Sequence, residues 1–254
     1  MFKINKDDYY FTDSDFDTFK DEYWNKNTRE LREKRLIVQE KLLDINKDLL
    51  PLLRKNGLNL SNHYKDEFIT SLTYPCNYNH FCVNWIGVRY GRGKKELKAL
   101  NYNCRELEEH IRGYQKYACL QVNIVSDGVD VGIYHAVPNE SVDRGYVHEQ
   151  IGANPDYVAK LIEEIKKIQG LGFEWRVGNE VFDFDNQEAE DFIKFYETYD
   201  IPGTHSSLLY HFPKWDERIK EENMIESFYK KINQLYDLYQ ILIWKPDFEN
   251  VKEN

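Results

Sequence analysis

Apolar residues recur at helical spacing in two long stretches and alternate at strand spacing in two short ones. From Thr28 to about Lys55, the positions Leu31, Ile37 or Val38, Leu42, Ile45, Leu49 and Leu53 return with Lys and Glu between them, the stripe of an amphipathic helix. Pro51 is expected to kink or end it, because proline lacks the N–H that an interior turn uses. A second stripe, Ile219, Ile225, Phe228, Ile232, Leu235, Tyr239 and Leu242, predicts a terminal helix from Trp215 to about Trp244, stopped by Pro246. Ser14 with Asp17 forms a weak capping pair and predicts a short helix to about Trp24.

The alternating stretches predict β-hairpins. CLQVNIVSDGVDVGIYHAV reverses around Asp127-Gly128, a pair suited to a type I′ turn because Gly accepts positive φ. With Ser126 opposite Val129, one side of the pleat carries Leu120, Val122, Ile124, Val131, Ile133 and His135. The other carries Gln121, Asn123, Asp130 and Tyr134. FEWRVGNEVFDF predicts a second hairpin with Gly178-Asn179 in a type II′ turn, which sets Trp175 opposite Phe182 and Glu174 opposite Asp183. Phe81, Val83 and Trp85 alternate as a strand would and lead to a turn at Gly91 and Gly93. Helices are expected at about 95–112, 156–169 and 187–199, with the Pro138 segment as a loop and SSLLYHF as one more short strand.

Helices at both ends around antiparallel hairpins, at about 119–137 and 173–184, imply an α+β fold with the sheet packed against the terminal helices. No repeat and no Pro/Gly/Ser-rich linker divides residues 1–254, so a single domain is expected. It has a helical part at about 14–56, a sheet-containing middle at about 74–211 and the last helix at 215–244.

Composition and charge narrow the function classes. The net charge of −10 disfavours a nucleic-acid partner without excluding one, since such affinity comes largely from neutralising phosphates. No apolar run is long enough for a membrane span or a secretory leader, which points to a cytoplasmic protein away from membranes. Cys76, Cys82, Cys104 and Cys119 are too few for a disulfide scaffold at this length.

Three groups of residues offer chemistry. In YHAVPNESVDRGYVHE, His135 at a strand end, with Asp143, His148 and Glu149 nearby, reads as a general base or metal ligand with its orienting acids. Arg144 there would bind an anion; the alternative is a hydrogen-bonded core histidine and an Asp143–Arg144 pair that merely ties the loop. Glu174 facing Asp183 calls for compensation by a divalent metal ion, a shared proton, Arg176 one pleat along, or screening water. Arg89, Arg92, Lys94 and Lys95 form a basic turn between a strand and a helix, suited to phosphate or simply solvated. Cys76, His80, Cys82 and Cys104 lack the spacing of a familiar zinc site.

With no complete catalytic motif, the expected function is a non-enzymatic protein that binds another macromolecule, a protein partner or a second copy of itself, through polar hairpin faces and surface tyrosines. The alternative is a metal-dependent hydrolase or nuclease acting on a phosphate-containing substrate, and only there does a divalent cofactor enter.

Overall fold

The structure, a computed structural model, describes residues 6–26, 28–62, 69–70, 83–93, 96–97, 100, 117–136, 141–201 and 203–245. The fold is α+β, with an antiparallel sheet packed against helices. Its strands are β1 (Ser61–Asn62), β2 (Ile69–Thr70), β3 (Ile86–Gly91), β4 (Cys119–Val125), β5 (Gly128–Ala136), β6 (Phe173–Val177), β7 (Glu180–Asp183) and β8 (Ser206–Pro213). They lie in the order β1-β3-β4-β5-β8-β6-β7, with β2 also on β3. The helices among the described residues are α1 (Asp13–Asp17), α2 (Arg29–Lys55), α3 (Val142–Ala153), α4 (Pro155–Ile168), α5 (Asp191–Tyr199) and α6 (Met224–Leu242). Two compact units divide the chain: Met1–Tyr90, Gln121–Val131 and His211–Asn233 form one, and Gly91–Leu120, Gly132–Tyr210 and Gln234–Asn254 the other.

In the first unit, α2 buries the predicted stripe, and of the two alternatives Val38 faces inward while Ile37 is 49% exposed. Thr28 caps the helix by accepting from the Leu31 amide at 3.3 Å. Pro51 does not end it: the residue sits in the exposed last turns, where the loss of one N–H is tolerated, and the helix runs on to Lys55. The short first helix starts one residue earlier than Ser14, with Thr12 as its cap and the Asp15 carboxylate taking the Thr12 amide at 2.7 Å. Helix α6 starts at Met224 rather than Trp215, because Trp215 adopts a left-handed φ of 65° and a 3-10 turn at Glu217–Ile219 follows. The Tyr9 hydroxyl holds that bend by donating to the Trp215 carbonyl at 2.7 Å.

The second hairpin has the predicted register, Glu174 opposite Asp183 and Trp175 opposite Phe182, with Gly178 at φ +59°. The first one reverses at Ser126 and Asp127, one residue before the expected pair, and Gly128 has no positive φ. Its lack of a side chain serves another purpose, since a Cβ there would lie 2.0 Å from the Phe212 carbonyl oxygen. Moving the reversal by one residue moves each pairing by two, so every residue keeps its predicted face. The expected loop after β5 becomes α3 from Val142, started by the Ser141 side chain, which accepts from the Arg144 amide. The segment SSLLYHF is β8, antiparallel to β6. Lys94, Lys95, Cys76, His80, Cys82, Cys104 and most of the helix expected at 95–112 lie outside the described residues.

Candidate functional site

In the second unit, two adjacent residues of α3 take up separate partners. About 100° of helical rotation separates consecutive side chains, so Asp143 and Arg144 point apart and the pair expected between them does not form. Asp143, fully buried, accepts from Arg92 Nη1 at 2.8 Å and Nη2 at 2.6 Å, from the Ala118 amide at 2.6 Å and from the Trp244 amide at 2.8 Å. A carboxylate with four donors has no lone pair left for catalysis, and Arg92 has its anion already. Arg144, equally buried, donates to Asp200 through Nε at 3.0 Å and through Nη2, and to the Thr204 carbonyl at 2.7 Å.

His148 Nε2 meets the same Asp200 oxygen at 2.9 Å, with its side chain 36% exposed. Burial pushes the Asp200 carboxyl up, but the His148 hydrogen bond and the Arg144 charge outweigh it and hold it below the usual carboxylate value. His135 is wholly buried against the rings of Trp175 and Tyr196, at 5.5 and 6.1 Å, and its Nδ1 lies 3.5 Å from the Tyr196 hydroxyl. Burial, helped by the Arg144 charge, pushes its pKa down to about 3, so the ring is neutral. Glu149 is exposed on α3. This cluster is a closed core of ion pairs with His148 as its contact with solvent.

Glu174 and Asp183 face each other as predicted, yet each has its own compensation. Arg176 donates to Glu174 at 2.8 and 3.1 Å, while Asp183 accepts from the Asp185 amide at 2.8 Å and from Asn186 Nδ2 at 2.5 Å. Strand alternation puts both acids on the face opposite Trp175, whose ring meets His135, so they do not converge with His135 on one site. Among the described residues, no group of three or more His, Cys, Asp or Glu is arranged to hold a metal ion.

In the first unit, the polar side of the first hairpin is not a solvent face. Gln121, Asn123 and Asp130 are 3%, 4% and 7% exposed, and Arg89, from the neighbouring β3, is fully buried with its guanidinium 5.2 Å from the Trp85 ring centroid. Arg89 is therefore no part of a solvated phosphate turn. Gly87 lets Asn123 lie flat on β3, since a Cβ there would fall 1.8 Å from Asn123 Oδ1. Alternation places Gly87, Arg89, Gln121 and Asn123 on one face, joined by Asp130, which meets His211 Nδ1 of β8 at 2.7 Å.

His211 keeps 30% of its side chain exposed, so it links this face to solvent. Gln121 Oε1 and Asn123 Oδ1 are buried with no hydrogen-bond donor. Two acceptors left bare this close together are unusual, because each such group costs about 1–3 kcal/mol. Sequence reasoning missed His211 and Asp200 as site residues. His211 had a visible signal, a polar position in the alternation of SSLLYHF, whereas Asp200 follows the helix expected at 187–199 with no local pattern that marks it. Comparison with known proteins finds no family model that matches this chain and no curated protein similar to it.

Proposed function

We propose that this chain is a binding protein that holds a small molecule rich in O–H or N–H groups on the polar face formed in the first unit by β3, β4, β5 and β8. The observation that carries the reading is the pair of buried, donor-free oxygens on Gln121 and Asn123, beside Arg89 and the Asp130–His211 pair. A ligand that donates to both would recover the free energy lost by burying them, and the partly exposed His211 marks the approach from solvent. A cytoplasmic setting suits this reading, and no helix among the described residues is long and apolar enough to cross a membrane.

A surface that binds a macromolecule draws less support. Tyr9, Tyr90, Tyr117, Tyr134, Tyr157, Tyr196, Tyr210 and Tyr239 are buried and not available to a partner, and the exposed large apolar side chains among the described residues are Leu36, Ile37, Val181, Tyr199 and Ile201. The edge strand β7 is also guarded, with charged Glu180 and Asp183 along it and the Asp183 amide capped by Gln187 Oε1 at 2.8 Å. A second reading, hydrolysis with His211 as general base, rests on the 2.7 Å Asp130–His211 contact, in which a carboxylate orients an imidazole.

Urea unfolding of Gln121→Leu and Asn123→Leu tests the binding reading. Replacing a bare buried acceptor by an apolar group of similar shape is expected to leave stability unchanged or raise it by about 1 kcal/mol. In a thermal-shift panel of sugars, polyols and amino acids, any compound that raises the parent's midpoint should lose its effect in both variants. Variants that lose stability would show the two oxygens to be structural, and the reading would fall.

A further inference from the structure

The first unit contains a cleft of about 520 Å³ at the amino-terminal end of α2, on residues that the polar sheet face does not use. Its construction starts with Arg35. That side chain is 2% exposed and donates to the carbonyl oxygens of Thr18 at 3.4 Å, Tyr23 at 3.0 Å and Lys26 at 3.2 Å. The segment from Thr18 to Lys26 is thereby curled around a buried cation with these carbonyls drawn inward, and the cleft beside it is lined by Lys20, Lys26 and Lys34 together with Asp17 and Glu30.

Three kinds of donor line it. Thr18 is 1% exposed and its Oγ1 has no hydrogen-bond partner among the described residues, although the residue lines the cleft. Lys26 forms no ion pair among the described residues, its Nζ resting 5.2 Å from the Tyr23 ring centroid. Thr28 Oγ1 takes the Leu31 amide, which leaves the Arg29 and Glu30 amides at the start of a 27-residue helix without a helical acceptor. The other lining lysines are already matched, Lys20 with Asp17 at 2.9 Å and Lys34 with Glu30 at 2.8 Å. The unmatched charge is thus that of Lys26, in a cleft lined also by Thr18, whose hydroxyl has no partner among the described residues.

We infer that this cleft binds a small phosphomonoester, with Lys26 and the first-turn amides of α2 on the phosphate and Thr18 donating to one of its oxygens. A tetrahedral dianion uses a cation, an O–H and N–H groups together, which a single carboxylate does less well. The cleft's volume lies in the range that accommodates a drug-sized molecule, so room remains beside Tyr23 for the esterified part.

Calorimetric titration of the full chain with ribose 5-phosphate, ribose and inorganic phosphate tests the site. Flotation with vesicles of phosphatidylcholine containing phosphatidic acid separates a soluble phosphate from a lipid headgroup. Ribose 5-phosphate and phosphate should bind saturably and ribose should not. Lys26→Ala should weaken ribose 5-phosphate roughly tenfold, and Thr18→Val by a smaller factor of about three, while Lys47→Ala leaves it unchanged. Lys26 is exposed, so Lys26→Ala keeps the test valid even where Thr18→Val unfolds the protein. The inference is overturned by no saturable binding up to about 10 mM, by equal binding of ribose, by an unaffected Lys26→Ala, or by binding to the vesicles alone.

Discussion

His135 couples its surroundings to pH more strongly than any exposed histidine would. Its folded pKa, pushed down to about 3 from 6.5, means that the native ring stays neutral where the unfolded chain's ring takes up a proton. Above pH 6.5 the ring is neutral in both states and its contribution to stability is complete. As pH falls below that value the unfolded state gains a proton the native state refuses, and stability drops by about 1.4 kcal/mol per pH unit toward the folded pKa. Urea unfolding between about pH 7.5 and pH 4.5 should therefore show a steeper loss in the parent than in His135→Phe, whose ring also packs against Trp175. Parallel curves for the two proteins would mean that the imidazole is free to protonate in the native state. That His135 sits on an apolar row was legible from alternation alone. Its Tyr196 and Trp175 neighbours were not, because they come from other elements.

Among the elements, strands paired through glycine set the tightest tolerances. Gly132 on β5 has no room for a Cβ, which would lie 1.9 Å from the Leu208 carbonyl oxygen of β8, and backbone cannot swing aside as a side chain can. Gly132→Ala is expected to cost about 3 kcal/mol or more, whereas Gly145→Ala on α3, where nothing lies within 4 Å, should gain about 0.5–1 kcal/mol from helix propensity. Chemical denaturation of the two variants checks the contrast, and a mild loss at Gly132 would show that β5 and β8 can separate locally. The same glycines explain which parts of the hairpins could be read in advance. Gly178 supplies a turn with positive φ, so the second register came out residue for residue. Gly128 looks like a turn glycine in sequence but meets the Phe212 backbone, so the first reversal was displaced.

For the whole molecule, charge and chain distance matter more than local pattern. Its charge of −10 at pH 7 shrinks as pH approaches the isoelectric point near 5.3, removing the repulsion that keeps copies apart. Light scattering should peak close to that pH and fall again on either side, and a flat profile would show that another force controls association. Helix stripes and strand alternation were legible because both are written in local spacing. The ion pairs of α3 were not, since Arg92 is 51 residues from Asp143 and Asp200 is 56 from Arg144, and no nearby residue announces either partner. Those two pairs make the first turn of α3 a poor place for a one-residue deletion. Losing a residue there would rotate Asp143 and Arg144 by about 100° together, detaching both at a stroke, while the same deletion in an exposed turn would pass almost unnoticed.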